Sequence, residues 1–317
     1  MIAEAQIVNE ISVYLNTLDK DIKENCLEPA EKEIYHYTDL NALHNIIINK
    51  NFRFSNILFM NDPSELDYGL SMIYDAFDFE GKYPYNYKNY DHSNKDRYEK
   101  YYKDESYIEF CKRIISFNSE VNALSLTSEK DSLAFWRSYS KNGTGVCIAI
   151  KTSELKEKPL KVIYDKKLQK GITEKISLEI KNLFRKYDVF SMRTAVKKII
   201  LDYISNLIQY YSSFIKDNGY SYEKEFRLSF TRNLSEFAKK TIKNKTNFRI
   251  TNLGLSPYVV SDCELLTEDV GLEIKNIEEI ILGPKLNFKL NSYSLNLLLK
   301  QEKLNHIKVS FSKLKMR

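Results

Sequence analysis

The sequence predicts an α+β protein built on one mixed sheet with helical insertions. Three observations predict it. Segments with alternating or continuous apolar residues interleave irregularly with segments of helical period, and no βαβ unit repeats. Over 317 residues, 43% are hydrophobic and 29% charged, a folding composition with enough chain for a sizeable core. Glycine is scarce, 9 in all, under half the usual share of roughly 7%. A dinucleotide-binding Rossmann unit needs glycines at set spacing, but the one close pair, Gly143-Thr144-Gly145, has Ile at position 148, and there is no Walker motif.

In order along the chain, residues 4–22 place Ile7, Ile11, Tyr14, Leu15, Leu18 and Ile22 on one helical face, and Pro29 stops the helix. Residues 33–37 read as a strand. Thr38-Asp39 starts a helix with Leu40, Leu43, Ile46 and Ile47 on one side. Residues 52–56 alternate as a second strand. Asp62-Pro63-Ser64-Glu65 has the cap, first-turn Pro and early acid of another helix. Residues 80–117, which open on a Tyr-, Lys- and Asn-rich stretch, are expected to form a lid-like surface insertion ending in a helix. Strands are expected at 122–128, 145–150 and 160–165, with a short helix from Asp131 between the first two. Residues 172–216 read as a helical insertion of two helices. Strands at 222–230, 277–283 and 306–311 and a helix at about 290–302 complete the domain, taken as 31–317 behind an N-terminal helical segment, 1–30.

Net charge is only +5, which permits a nucleic-acid partner without arguing for one. Cys26, Cys111, Cys147 and Cys263 form no CxxC, a pattern suited to a reducing cytoplasm and to neither a zinc site nor a disulfide scaffold. No apolar run is long enough to span a membrane, and the N-terminal residues lack the basic and apolar regions of a secretory signal.

Four groups of residues carry possible chemistry. His36, flanked by Tyr35 and Tyr37 and followed by Thr38, is either a core histidine satisfied by backbone groups or a ligand contact. Glu223 and Glu225, two apart on an expected strand, share one face, either solvated with Lys224 behind or aimed into a site. Arg227 falls on that face too, able to hold a carboxylate ionised. Asn61, Asp62 and Glu65 either cap a helix or bind a ribose or phosphate at its N-terminus. Trp136, the only tryptophan, with Tyr139 beside it, either packs in the core or walls a base.

The motif Tyr35-His36-Tyr37-Thr38 followed by a Leu-x-x-Ile-Ile helix resembles the opening of the ADP-ribosyltransferase superfamily. Across the chain, the ordered set YHYT, FRFSN…NDPSE, ALSLTSEKDSLAFWRSYSKNGTGVCIAI, YEKEFRL and IEEIILGPK, from residue 34 to about 285, resembles the bacterial DUF2971 family, which has no assigned function. The superfamily resemblance implies a split mixed and antiparallel sheet and NAD as substrate, with no metal. It implies Glu225 and Glu223 as the carboxylates that stabilise an oxocarbenium-like transition state, and His36 as the residue that grips a ribose. Tyr37, Thr38, Ser125, Thr127, Trp136, Tyr139, Arg227, Asn61 and Asp62 would line the NAD site. His36 and the two glutamates would meet across a cleft. The chain departs from the arginine-, serine- and glutamate-containing class in having His where that class has Arg, and in Leu126 between Ser125 and Thr127. The activity implied is an NAD-dependent ADP-ribosyltransferase or glycohydrolase of the cytoplasm, a toxin or anti-phage effector with a protein or nucleic-acid acceptor. A non-catalytic nucleotide- or nucleic-acid-binding module and an RNA-modifying enzyme stay open beside it.

Overall fold

A computed structural model of the chain describes residues 2–30, 33–60, 65–76, 119–189, 192–233, 246–251, 254–261 and 271–316. In chain order the elements are α1 (Ile2–Asn25), β1 (Ile34–Thr38), α2 (Leu40–Asn49), β2 (Arg53–Asn56), α3 (Glu65–Ala76), β3 (Ser119–Thr127), α4 (Leu133–Ser138), β4 (Val146–Ile150), β5 (Leu160–Lys161), α5 (Lys166–Tyr187), α6 (Thr194–Ser212), β6 (Glu225–Asn233), β7 (Asn247–Thr251), β8 (Gly254–Val260), β9 (Ile277–Leu282), α7 (Phe288–Gln301) and β10 (Lys308–Phe311). The strands form one open, mixed sheet in the order β10-β9-β4-β1-β3-β2-β8-β7, in which β6 also pairs with β3, and β5 with β6. Among the described strands only β9 and β10 pair in parallel.

β3 is the spine. Along its whole length one edge pairs with β6, from Ser119↔Asn233 to Thr127↔Glu225. The other edge is shared by two strands. β1 takes only its end, Tyr35↔Thr127, and β2 takes Ser55↔Ala123 and Asn56↔Asn122. Residues 124–126 of β3 therefore meet neither strand on that edge, and the sheet divides into two branches, β1-β4-β9-β10 and β2-β8-β7.

Apolar side chains fill both sides of this sheet. Ile34, Phe54, Leu124, Leu126, Phe226 and Ile148 form one core with Leu43, Ile46 and Ile47 of α2 and Leu295 and Leu299 of α7. A second core joins α1, α3, α5 and α6 to Val121 of β3. Ile11, Leu15, Leu18 and Ile22, one face of α1, are buried there with Ile176, Ile180, Ile204 and Ile208. The N-terminal segment and the helical insertion, far apart in sequence, thus share one apolar layer. A third, smaller core sets Tyr35, Tyr37, Cys147 and Ala149 under Phe135 and Trp136 of α4.

Several expected boundaries shift for local reasons. The helix expected from 172 begins at Lys166, because Asp165 accepts from the Leu168 amide (2.9 Å) and Gly171 is tolerated inside it. The strand expected at 160–165 shrinks to two residues and an isolated bridge, Ile163↔Ile215. Asp131 does not cap α4: Ser132 precedes the helix, and Asp131 is left-handed (φ 55°), its carboxylate accepting from Trp136 Nε1 at 2.8 Å. The strand expected from 222 starts at Glu225, since residues 218–223 form a 3-10 turn and Lys224 is left-handed (φ 40°). The β7–β8 hairpin was not expected at all. Phe248, Ile250 and Leu255 point outward at this edge of the sheet, and Pro257 interrupts the run, so the usual half-buried alternation is missing. The lid-like insertion, 80–117, lies outside the described residues.

Candidate functional site

The sheet division brings one set of expected residues together and separates another. Glu225, Arg227, Thr127 and Tyr35 share a face, because Thr127 is the cross-strand partner of both Tyr35 and Glu225. His36, one residue on from Tyr35, falls on the other alternation. It lies two strand spacings, about 10 Å, from β6. The cleft expected between His36 and the Glu223/Glu225 pair is therefore not what this register builds.

On the Glu225 face a buried ionic cluster forms. Arg227 holds Glu225 with both ends of its fork, Nε to Oε1 at 2.7 Å and Nη2 to Oε2 at 2.8 Å. It also donates to Glu65 and to the Ser213 carbonyl. Lys216, just past α6, reaches Glu223 Oε2 at 2.6 Å, Glu225 Oε2 at 3.1 Å and Glu65 Oε2 at 3.5 Å. Tyr139 donates to Glu223 Oε1 at 2.6 Å, and the Glu225 amide donates to Tyr164 Oη at 3.3 Å. All five charged residues are at most 6% exposed.

Three carboxylates face two cations, so the fully ionised cluster carries one surplus negative charge. Burial raises the pKa of Glu225, but the charges of Arg227 and Lys216 outweigh it and hold the carboxylate low. Glu65 goes the other way. Burial dominates, the Glu225 charge adds to it, and together they exceed the pull of Arg227 and Lys216, so its pKa is raised. Glu65 is thus the carboxylate of the cluster that takes up a proton most readily. Glu225 is already bound on both oxygens, an arrangement that locks α3, the segment after α6 and β6 together.

On the opposite side, His36 fills the gap where β1 and β2 part. Its Nδ1 lies 3.0 Å from the Ser125 carbonyl, in the stretch of β3 that pairs with neither strand. A carbonyl can only accept, so Nδ1 carries the proton. Burial lowers the pKa of this imidazole, outweighing the opposite pull of the Ser125 hydrogen bond, and the positive charge of Arg249 lowers it further. The ring is therefore held neutral with Nε2 as an acceptor. His36 is half-buried, at the place where the two branches of the sheet part. Arg249 of β7 lies near enough for its charge to act on the ring, and its Nη2 donates to Ser55 Oγ of β2 at 2.7 Å.

The remaining expected site residues take structural parts. Trp136 is fully buried, edge-on to Tyr37 and bonded to Asp131, so it cannot wall a base. Tyr37 stacks on Phe135, and its hydroxyl donates to the Glu129 carbonyl (3.0 Å) and accepts from the Ser132 amide (2.9 Å). Thr127 donates to the Glu223 carbonyl (2.8 Å) and accepts from the Glu129 amide (3.1 Å). Thr38 is half-buried at the end of β1, and Ser125 contributes its carbonyl to His36. Tyr139 belongs to the ionic cluster. Asn61 and Asp62 lie outside the described residues. The solvated-face alternative for Glu223 and Glu225 is also set aside, since both are buried, while Lys224 points out to Glu129.

Sequence reasoning missed Lys216, Arg53 and Arg249. A signal existed for the arginines: Phe52-Arg53-Phe54 and Phe248-Arg249-Ile250 each set a cation between apolar neighbours, the mark of a charge carried on a strand. Lys216 carries no such mark.

Compared with known families, residues 135–228 match the family described as "Protein of unknown function (DUF2971)". The matched stretch is less than a third of the chain and runs from α4 into β6, taking in the FWRSY, GVCIAI and EKEFRL segments. It includes Lys216, Glu223, Glu225 and Arg227 of the ionic cluster and stops short of β1, β7 and β8. No curated protein matches the chain, and no solved structure does. Among the described residues no helix is long and apolar enough to cross a membrane.

Proposed function

We propose that the chain binds a nucleotide of the NAD and ADP-ribose class in the opening between β1 and β2, as a nucleotide-binding module. The observation that carries this reading is the tautomer of His36. Its Nδ1 is committed to the unpaired Ser125 carbonyl, which leaves an uncharged acceptor, Nε2, where the sheet divides. A sugar hydroxyl is the natural donor to such a nitrogen. The resemblance of the β1–α2 segment to the ADP-ribosyltransferases supports the choice of ligand class.

NAD cleavage is the second reading, and Glu225 argues against it. A carboxylate that stabilises a developing cation must be preorganised beside it. Glu225 and Glu223 are instead neutralised by Arg227 and Lys216 on the other face of the sheet. Asp39, the acid near the opening, caps α2 through the Ala42 amide (2.8 Å) and pairs with Lys141 (3.3 Å).

Isothermal titration of the full chain with NAD and ADP-ribose tests the proposal, with nicotinamide release followed in parallel. Saturable binding that His36→Ala weakens about tenfold or more, with NAD left intact, is the expected result. Binding indifferent to His36→Ala would sink it. Nicotinamide release lost in Glu225→Gln would establish the enzymatic reading in its place.

A further inference from the structure

We propose that Arg53 and Arg249 form a phosphate-binding pair at the rim of this opening and hold the phosphate groups of a small nucleotide. The ligand class rests on the nucleotide reading above; the anion itself rests on separate observations.

Both arginines come from the β2-β8-β7 branch. Arg249 reaches across β8 to donate to Ser55, while the Arg53 guanidinium lies over the Tyr258 ring, 5.0 Å from its centre. The registers Ser55↔Tyr258, Asn247↔Tyr258 and Arg249↔Ser256 put these side chains on one face. The two cations act on each other. Burial lowers the pKa of Arg249, and the charge of Arg53 lowers it again.

Neither arginine forms an ion pair among the described residues, and Arg249 Nε is buried without an acceptor there. The contrast with Arg227 is direct, since that guanidinium is saturated by Glu225, Glu65 and a carbonyl. Among the described residues Asp39 is the carboxylate acting on Arg249, and it is engaged by the α2 cap and Lys141. Holding two like charges together, one of them with a buried unsatisfied N–H, is costly unless something else supplies the acceptors. Phosphate oxygens fit best, because a guanidinium fork meets them bidentately and two forks offer more donors than one carboxylate accepts. A neutral His36, which the Arg249 charge reaches, adds no competing charge.

The experiment is isothermal titration of the full chain, at fixed low ionic strength, with pyrophosphate, ADP-ribose, adenosine and a short single-stranded oligonucleotide. Arg249→Gln and Arg53→Gln are each compared with the parent, with thermal melts confirming folding. Pyrophosphate and ADP-ribose should bind the parent. Each variant should weaken both about tenfold or more, Arg249→Lys should fall between, and adenosine should bind all of them alike. Pyrophosphate that fails to bind, or binds Arg249→Gln as well as the parent, overturns the pair. ADP-ribose binding that depends on His36 but not on either arginine also overturns it, while leaving the nucleotide reading intact. Pyrophosphate binding that depends on the arginines, with no binding of ADP-ribose, supports the pair and removes the nucleotide reading. An arginine-dependent response to the oligonucleotide alone overturns the assignment to a small ligand.

Discussion

Arg227 and Glu225, two residues apart on β6, close a bidentate ion pair that is almost wholly excluded from water, with Nε–Oε1 at 2.7 Å and Nη2–Oε2 at 2.8 Å. Such a pair is weak evidence of net stabilisation, because both charges lost their hydration. Breaking it from one side is another matter.

Arg227→Met leaves Glu65, Glu223 and Glu225 facing Lys216 alone. The buried surplus rises from one negative charge to two, and the Ser213 carbonyl loses its donor. The expected loss is about 3–5 kcal/mol, the usual cost of stranding buried charge. Glu65→Gln should cost much less, since it removes the surplus charge and keeps an acceptor for Arg227. Urea denaturation of the two variants checks the order, and equal losses would refute the charge count.

The pH dependence follows from the same residue. The folded pKa of Glu65 lies above its unfolded value of about 4.5. Between those two values the folded chain binds more protons than the unfolded one, so stability falls as pH rises through that window. Its contribution is complete below the unfolded value and is lost above the folded one. Glu225, shifted down, acts only below 4.5, where its stabilisation is lost on acidification. The stability deficit of Glu65→Gln should therefore shrink from pH 5 to pH 8 in urea melts. A deficit that is constant or grows over that range would contradict the raised pKa.

Gly145 sits where β1 meets β4. A Cβ there would lie 2.2 Å from the Thr38 carbonyl oxygen, a backbone atom that cannot step aside. The Gly145 carbonyl also accepts from the Gly283 amide at 2.9 Å, fixing it from the other side. Gly145→Ala should destabilise by about 1–3 kcal/mol, as overpacking does. It should also weaken nucleotide binding, because the strand displaced is the one carrying His36. Melting temperature and titration together check it, and an unchanged melt would rule out the contact.

Trp136 supplies an optical test of its place in the core. Its emission should be blue-shifted and resist acrylamide, and it should not respond to ligand filling the opening. Trp136→Phe should cost about 2 kcal/mol from the lost volume and the lost hydrogen bond to Asp131, which keeps its Ser312 and Lys313 donors. Strong quenching by NAD or ADP-ribose would put the indole back in a binding site.

Much of this architecture is legible in the sequence because it is local. Asp39 and Leu40–Ile47 announce α2, and GVCIAI is continuous and apolar because β4 is buried along its length. Glu225-Phe226-Arg227-Leu228 reads correctly as a strand with a charged and an apolar face. What alternation cannot supply is which face of one strand aligns with which face of another. That depends on Tyr35, rather than His36, pairing with Thr127, a contact across 92 residues. The sequence likewise hides Lys216. It stands between the apolar pair Phe214-Ile215 and the polar turn Asp217-Asn218-Gly219, and acquires its meaning only when α6 returns it beneath β6. Arg249 was missed with its strand, since an edge hairpin with apolar residues facing outward has no half-buried pattern to find.

His36 gives the last test, through its own titration. Burial and the Arg249 charge set its folded pKa below the unfolded value of about 6.5. The folded chain therefore binds fewer protons than the unfolded chain between those values. The stability due to the neutral ring is present above 6.5 and is lost as pH falls through the folded pKa. Ligand binding should follow the same limb, because protonation at Nε2 turns the acceptor into a donor and removes the contact with a sugar hydroxyl. Adenosine affinity should thus fall on acidification with the apparent pKa of His36, followed by NMR of its ring protons. His36→Gln, which offers an amide acceptor that does not titrate, should bind more weakly at pH 7.5 and lose the pH dependence. If adenosine affinity in the parent is flat from pH 7.5 down through the measured His36 pKa, Nε2 is not the acceptor, and the ligand does not meet the ring in this opening.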